Sequence, residues 1–164
     1  SSTGAIFTPN SVSFTNATTV VANFTIGTDG TYFIRVENPD GLAARSSSAL
    51  LTVSDAPTWT TAAGSLGSVA AGDSVNFTVA ASGDSTIAFS ETTSVLTSNS
   101  DTPASTMNLS LNSSTGAITG TAPSPTSETT YNFTLRATDA EAQTADRAFS
   151  ITISVGMNNS GQFN

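Results

Sequence analysis

Two runs near the end of the chain constrain its fold more than any other feature. Tyr131, Phe133, Leu135 and Ala137 alternate with Asn132, Thr134, Arg136 and Thr138, while Phe149, Ile151, Ile153 and Val155 alternate with Ser150, Thr152 and Ser154. A period of two puts every apolar side chain of a run on one face, which is the mark of a half-buried strand. The segment between the runs, Asp139 to Asp146, is polar and short enough to return the chain antiparallel. The two runs are therefore expected to be the last two strands of a β-sandwich.

Shorter alternating pieces precede them. Val12 and Phe14 form one, Val20, Ala22, Phe24 and Ile26 a second, Tyr32, Ile34 and Val36 a third, and Ala49, Leu51 and Val53 a fourth. Thr28-Asp29-Gly30-Thr31 and Asn38-Pro39-Asp40-Gly41 are turn sequences, because proline presets φ and glycine accepts the positive φ that closes a turn. Ser54-Asp55-Ala56-Pro57 ends one strand and Thr58-Trp59-Thr60 starts another, which predicts a first unit over 1–55 and a second over 56–155, followed by a tail or linker over 156–164. In the second unit Val75, Phe77 and Val79, then Ile87 to Glu91, then Met107, Leu109 and Leu111 are strand-like. Gly64 to Gly72 is a segment of small residues, and Thr92 to Thr106 a surface loop or edge strand anchored by Val95 and Leu96. No stretch keeps a helical period. The predicted class is all-β, with Phe77, Val79, Leu109, Ile118, Tyr131, Phe133, Leu135, Phe149, Ile151 and Ile153 in the core of the second unit.

The residue inventory narrows the chemistry. With no lysine, four arginines and a net charge of −8, the chain has little with which to neutralise a phosphate backbone, so nucleic acid is not an expected partner. Histidine and cysteine are absent, which excludes Ser-His-Asp and Cys-His nucleophiles, the usual zinc sites and disulfides. No apolar run approaches the roughly 20 residues that cross a bilayer as a helix, so membrane insertion is not expected. Charged residues make up only 10% of the chain, which leaves solubility to Ser, Thr and Asn, a habit of extracellular and particle-surface β-proteins. No catalytic residue and no cofactor is expected.

Two places remain open. Asp139, Glu141 and Asp146 share one connecting segment and are candidate calcium ligands, with Asp55 or Glu91 as possible additions. The preferred alternative is that Asp139 accepts hydrogen bonds from the amides of its own turn, in which case calcium has little effect. Trp59 is either a carbohydrate-stacking platform or, as preferred for an indole beside Pro57 at the start of a sandwich, a core plug.

From Ala56 to Ile153 the chain resembles the immunoglobulin-like family of bacterial and phage surface proteins that is related to the dystroglycan-type cadherin-like repeat. The resemblance rests on Ala56-Pro57-Thr58-Trp59, Ser114-Thr115-Gly116-Ala117-Ile118-Thr119-Gly120-Thr121, Tyr131 to Asp139 and Phe149 to Ile153. A proline-leucine pair usual in that family near Met107 to Leu109 is missing. Residues Val12 to Ser54 resemble the C-terminal half of the IPT/TIG immunoglobulin-like domain through Gly30-Thr31-Tyr32, Val36 to Gly41 and Leu51-Thr52-Val53, without its opening strands. The resemblance implies two tandem Ig-like units, the first incomplete, acting as a spacer and adhesion module without catalysis. It places the chain among phage virion proteins and large bacterial surface proteins; the lean, lysine-free composition favours the virion surface, and the alternative is a carbohydrate- or calcium-binding adhesion module of a bacterial cell-surface or secreted protein. Expected partners are other virion or surface-protein subunits, met through a free sheet edge of the first unit, and host surface polysaccharide.

Overall fold

A computed structural model describes residues 1, 4–98 and 106–155. The chain divides into two compact units, Ser1–Asp55 and Ala56–Asn164. All regular structure in the described residues is β, and none of it is a helix long and apolar enough to cross a membrane. The residues assigned to a tail, 156–164, and residues 99–105 of the predicted loop lie outside the described residues.

In the second unit the two long alternating runs become β14 (Thr129–Thr138) and β15 (Thr144–Ser154), paired antiparallel with Tyr131 opposite Ile151 and Phe133 opposite Phe149. Directly opposed residues share a face, so the register aligns two apolar stripes and buries Tyr131, Phe133, Leu135, Ala137, Phe149, Ile151 and Ile153 together. β11 (Ala88–Glu91) pairs antiparallel along β14 and contributes Phe89. On the far side β8 (Gly64–Ala70) runs parallel to β15, with a register shift between Ser150 and Ile151. The facing sheet has β13 (Ala117–Thr121) in the centre, flanked by β12 (Ser110–Leu111) and β9 (Ser74–Thr78), and a short pair of β7 (Thr58–Trp59) and β10 (Ala81–Ser82) closes one end. Val75, Val79, Leu109 and Ile118 complete the core. Phe77, expected in the core, is only partly buried and packs against its margin; its ring lies over Gly67, where an added Cβ would come within 3.0 Å of it.

β8 is the small-residue segment that shows no alternation in the sequence. Its glycines let the strand lie against β15 and the Phe77 ring, and the ladder rather than its side chains holds it. The turn between β12 and β13 follows its sequence closely. The Asn112 side-chain oxygen accepts from the amides of Ser114 and Thr115 at 3.0 Å each, and Gly116, at φ +69°, sits where a Cβ would collide with the Val79 carbonyl. Leu96 is fully buried, so the segment after β11 is more than a surface loop; its backbone accepts from the amide of Leu109, as Val95 does from that of Met107.

The first unit is built differently. β1 (Ser11–Asn16) pairs with β2 (Thr19–Asn23), β3 (Gly30–Tyr32) with β6 (Leu51–Val53), and β4 (Arg35–Glu37) with β5 (Ala43–Arg45), each as a separate two-stranded ribbon. The single strand predicted across Tyr32, Ile34 and Val36 is thus split between two ribbons, because β3 and β4 pair with different partners. The turn at Asn38 to Gly41 closes as its sequence implies, with the Gly41 amide bonded to the Asn38 carbonyl at 2.9 Å. Arg35 stands opposite Arg45 in β5, and the two cations are separated by different partners, Glu37 at 2.8 Å for Arg35 and the Phe33 ring for Arg45. Among the described residues of this unit, Tyr32 is the one large apolar side chain that is buried.

Truncating Phe133 or Ile151 to alanine is expected to cost about 2–5 kcal/mol in denaturant melts of the second unit's transition. The Tyr131 hydroxyl is buried without a hydrogen-bond partner, and burial pushes its pKa up. Tyr131→Phe should accordingly be neutral or stabilising in the same melts, by up to about 1 kcal/mol; a loss of that size would mean that the hydroxyl is bonded after all.

Candidate functional site

β14 ends at Thr138 and β15 begins at Thr144, so Asp139 starts the turn that reverses the chain. One of its carboxylate oxygens, Oδ1, accepts from the Gln143 amide at 2.7 Å, and its own amide donates to the Gln143 carbonyl at 3.1 Å. This is the capping role expected of Asp139. It uses one oxygen. The other, Oδ2, is buried without a hydrogen-bond partner, in a residue only 6% exposed.

A second loop, which follows β10, meets this turn. The Ser85 hydroxyl donates to Glu141 Oε2 at 2.7 Å and accepts from the Ala140 amide at 3.0 Å, which stitches the loops together. That contact brings Asp84 in beside the turn, and one carboxylate oxygen each from Asp84, Asp139 and Glu141 lie within 4.8 Å of one another. Of the three sequence candidates, Asp139 and Glu141 are together and Asp146 is not. Asp146 is a strand residue opposite Arg136, and it takes a bidentate pair from that guanidinium at 2.7 and 2.8 Å, which holds its carboxyl below the usual range. Asp84 lies 55 positions before Asp139 and escaped the sequence analysis; the signal it offers is its place in the turn-like Ser82-Gly83-Asp84-Ser85.

Trp59 is not a carbohydrate platform. Its indole is buried, packs against the rings of Phe89 and Phe149 with centroids 5.6 and 5.3 Å away, and donates its Nε1 proton to the Ala145 carbonyl at 3.0 Å. No face is left for a sugar.

Glu91, suggested as a further calcium ligand, is otherwise occupied. Its carboxylate accepts from the amides of Val95, Leu96 and Thr97 at 2.6, 2.8 and 2.9 Å and from the hydroxyls of Thr93 and Thr97. It clasps the segment that inserts Leu96 into the core. Partial burial pushes its carboxyl up, but the amides of Leu96, Thr97 and Val95 and the Thr97 hydroxyl outweigh that, and the net pKa is lowered.

The two-layer arrangement and the inward alternation define an immunoglobulin-like sandwich, the architecture of adhesion-type domains. The sequence of residues 56–154 matches the model of the family described as Putative Ig domain, and the chain belongs to that family. No curated protein matches the chain. Among solved structures it is similar to the protocadherin PcdhgB3 EC1-4, at 16% identity and a TM-score of 0.47 over 74% of this chain and 38% of that one. Similar too are the titin domains z1z2 in complex with telethonin (16% identity, TM-score 0.40, 90% of this chain and 73% of that one) and Sidekick-1 immunoglobulin domains 1–4 (17%, 0.39, 93% and 41%). The chain spans well under half the length of the protocadherin and Sidekick-1 structures. Scores of this size carry nothing about ligand or activity.

The Glu91 clasp generates a pH dependence. A carboxyl whose folded pKa is depressed contributes stability that is present above its unfolded value, about 4.3, and lost as the pH falls through the folded value. Melts between pH 7 and pH 3 should show the acid loss diminished in Glu91→Ala, which at pH 7 should be about 1–3 kcal/mol less stable because it strands the Val95 and Leu96 amides.

Proposed function

We propose that this chain is a non-enzymatic structural and adhesive module on the outside of a bacteriophage particle, in a capsid decoration, fibre or tail appendage, where it serves assembly and attachment to the host surface. The observation that carries the reading is the β1–β2 ribbon. Its register sets Val12 opposite Ala22 and Phe14 opposite Val20, which gathers these four side chains on one face. That face is bare, with Phe14 74%, Val12 59% and Val20 57% exposed. A two-stranded ribbon is marginal in water without a layer to cover its apolar face, and its edges offer unpaired amides and carbonyls to an incoming strand. The occupant that suits both needs is a β-rich neighbouring subunit of the same assembly, which adds a strand and covers the face. The partial IPT/TIG-like character of Val12 to Ser54 fits the same role, as does a surface made soluble by Ser, Thr and Asn. For attachment, a shallow groove with Ala63, Gly64 and Ala148 among its lining residues also presents the side chains of Asn132, Thr134 and Ser150, whose amide and hydroxyl groups suit a host polysaccharide.

Two measurements test this. An antibody against the chain should follow particles through a density gradient; recovery with the bacterial envelope instead would replace the virion location with a cell-surface one. Amide hydrogen exchange of the intact chain, free and in the purified assembly, should slow about tenfold or more over β1 and β2 on assembly. Strong protection of those amides already in the free chain would make the first unit an independent spacer and overturn the assembly contact.

A further inference from the structure

We infer that the carboxylates of Asp84, Asp139 and Glu141 form a calcium site at one end of the second unit. Two independent observations meet there. The first is the spacing, with three carboxylate oxygens within 4.8 Å of one another. The second is the buried Oδ2 of Asp139, which no hydrogen-bond donor reaches. A buried acceptor without a partner is costly and rare, and capping of the turn does not account for it, because the cap uses Oδ1. A cation satisfies Oδ2 and leaves the cap in place. The sequence supplies neither lysine nor histidine to do this, and the two arginines of the unit are engaged elsewhere, Arg136 by Asp146 and Arg147 by the Thr61 carbonyl at 2.7 Å.

The donor set identifies the ion. All three groups offer hard oxygen, with no nitrogen or sulfur to favour zinc or copper. Oxygens facing each other across calcium, at about 2.3–2.6 Å from the metal, stand up to about 5 Å apart, whereas magnesium at about 2.0–2.1 Å requires a tighter cage. Calcium takes six to eight oxygens, so water fills the positions that the three side chains leave. Glu141 keeps Oε1 available while Oε2 holds Ser85. Bound calcium joins the loop after β10 to the turn before β15, and reinforces what the Ser85 hydroxyl does alone. Asp84 and Glu141 are exposed, which places the affinity with extracellular modules, at a Kd of about 0.1–1 mM.

The test is a set of thermal melts of the intact chain in chelator, in 10 mM calcium chloride and in 10 mM magnesium chloride, where the salt concentration is about ten times Kd or more. Calcium should raise the Tm of the second unit by roughly 5 °C or more, and magnesium should do less. Asp84→Asn, which leaves the turn cap intact, should lose the calcium shift measured against its own melt in chelator; Glu141→Gln should reduce it. Asp139→Asn keeps an amide oxygen to accept from Gln143 and puts a donor where Oδ2 was, so it too should lose the calcium shift; the Asp84 variant decides the matter if that protein fails to fold. Absence of a calcium shift in the parent chain, or a shift retained in Asp84→Asn, overturns the site.

Discussion

The antiparallel ladder between β14 and β15 sets the position of everything else in the second unit. It runs from the pair Thr129 and Ile153 to the pair Thr138 and Thr144 without a register break, and so carries a straight apolar stripe along the inner face of the sheet. Phe133 and Phe149 face each other at its centre, Trp59 packs on Phe149, and Phe89 packs on Trp59. The facing sheet closes over this aromatic row with Val75, Val79 and Ile118. At one end of the ladder the strands are joined by the turn that holds Asp139, so the geometry of the carboxylate group is inherited from the register. A slip of one residue would move the stripe to the solvent face and dissolve the group at the same time.

The first unit lacks such an organiser. Its ribbons are three to six residues long, and side-chain cover is confined to the neighbourhood of Tyr32, which Phe7 meets edge-on at 5.4 Å. Residues that read as core from their spacing, such as Val12, Phe14, Val36 and Leu51, are exposed. Alternation specifies which face is apolar. It does not specify what covers that face, and here nothing among the described residues of the unit does.

That distinction also separates what was legible in the sequence from what was not. The long strands, the Asn112 to Gly116 turn and the predicted core of the second unit could be read because their information is local, in a period of two or in a turn chemistry that acts within a few residues. β8 could not be, since Gly, Ser and Ala show no period and its place depends on a parallel ladder with a strand some 85 residues later. Trp59 followed its preferred role as a core plug. For Asp139 the structure shows that the cap occupies Oδ1 and leaves Oδ2 buried without a hydrogen-bond partner, a division within one side chain that spacing in the sequence does not display. Asp84 carried no sign of its neighbours, because its proximity to Asp139 arises only when two loops are brought together by folding.

The placement of the cations has a practical consequence. Trypsin cuts after lysine and arginine, and this chain has no lysine. Arg136 and Arg147 lie within β14 and β15, the middle strands of the four-stranded sheet, whereas Arg35 and Arg45 lie in short exposed strands of the first unit. A protease needs an opened segment to engage, and opening the central ladder means unfolding the second unit. Limited digestion therefore trims the first unit at Arg35 and Arg45 and leaves a fragment that begins at Ser46, keeps β6, and carries the sandwich intact for as long as it stays folded.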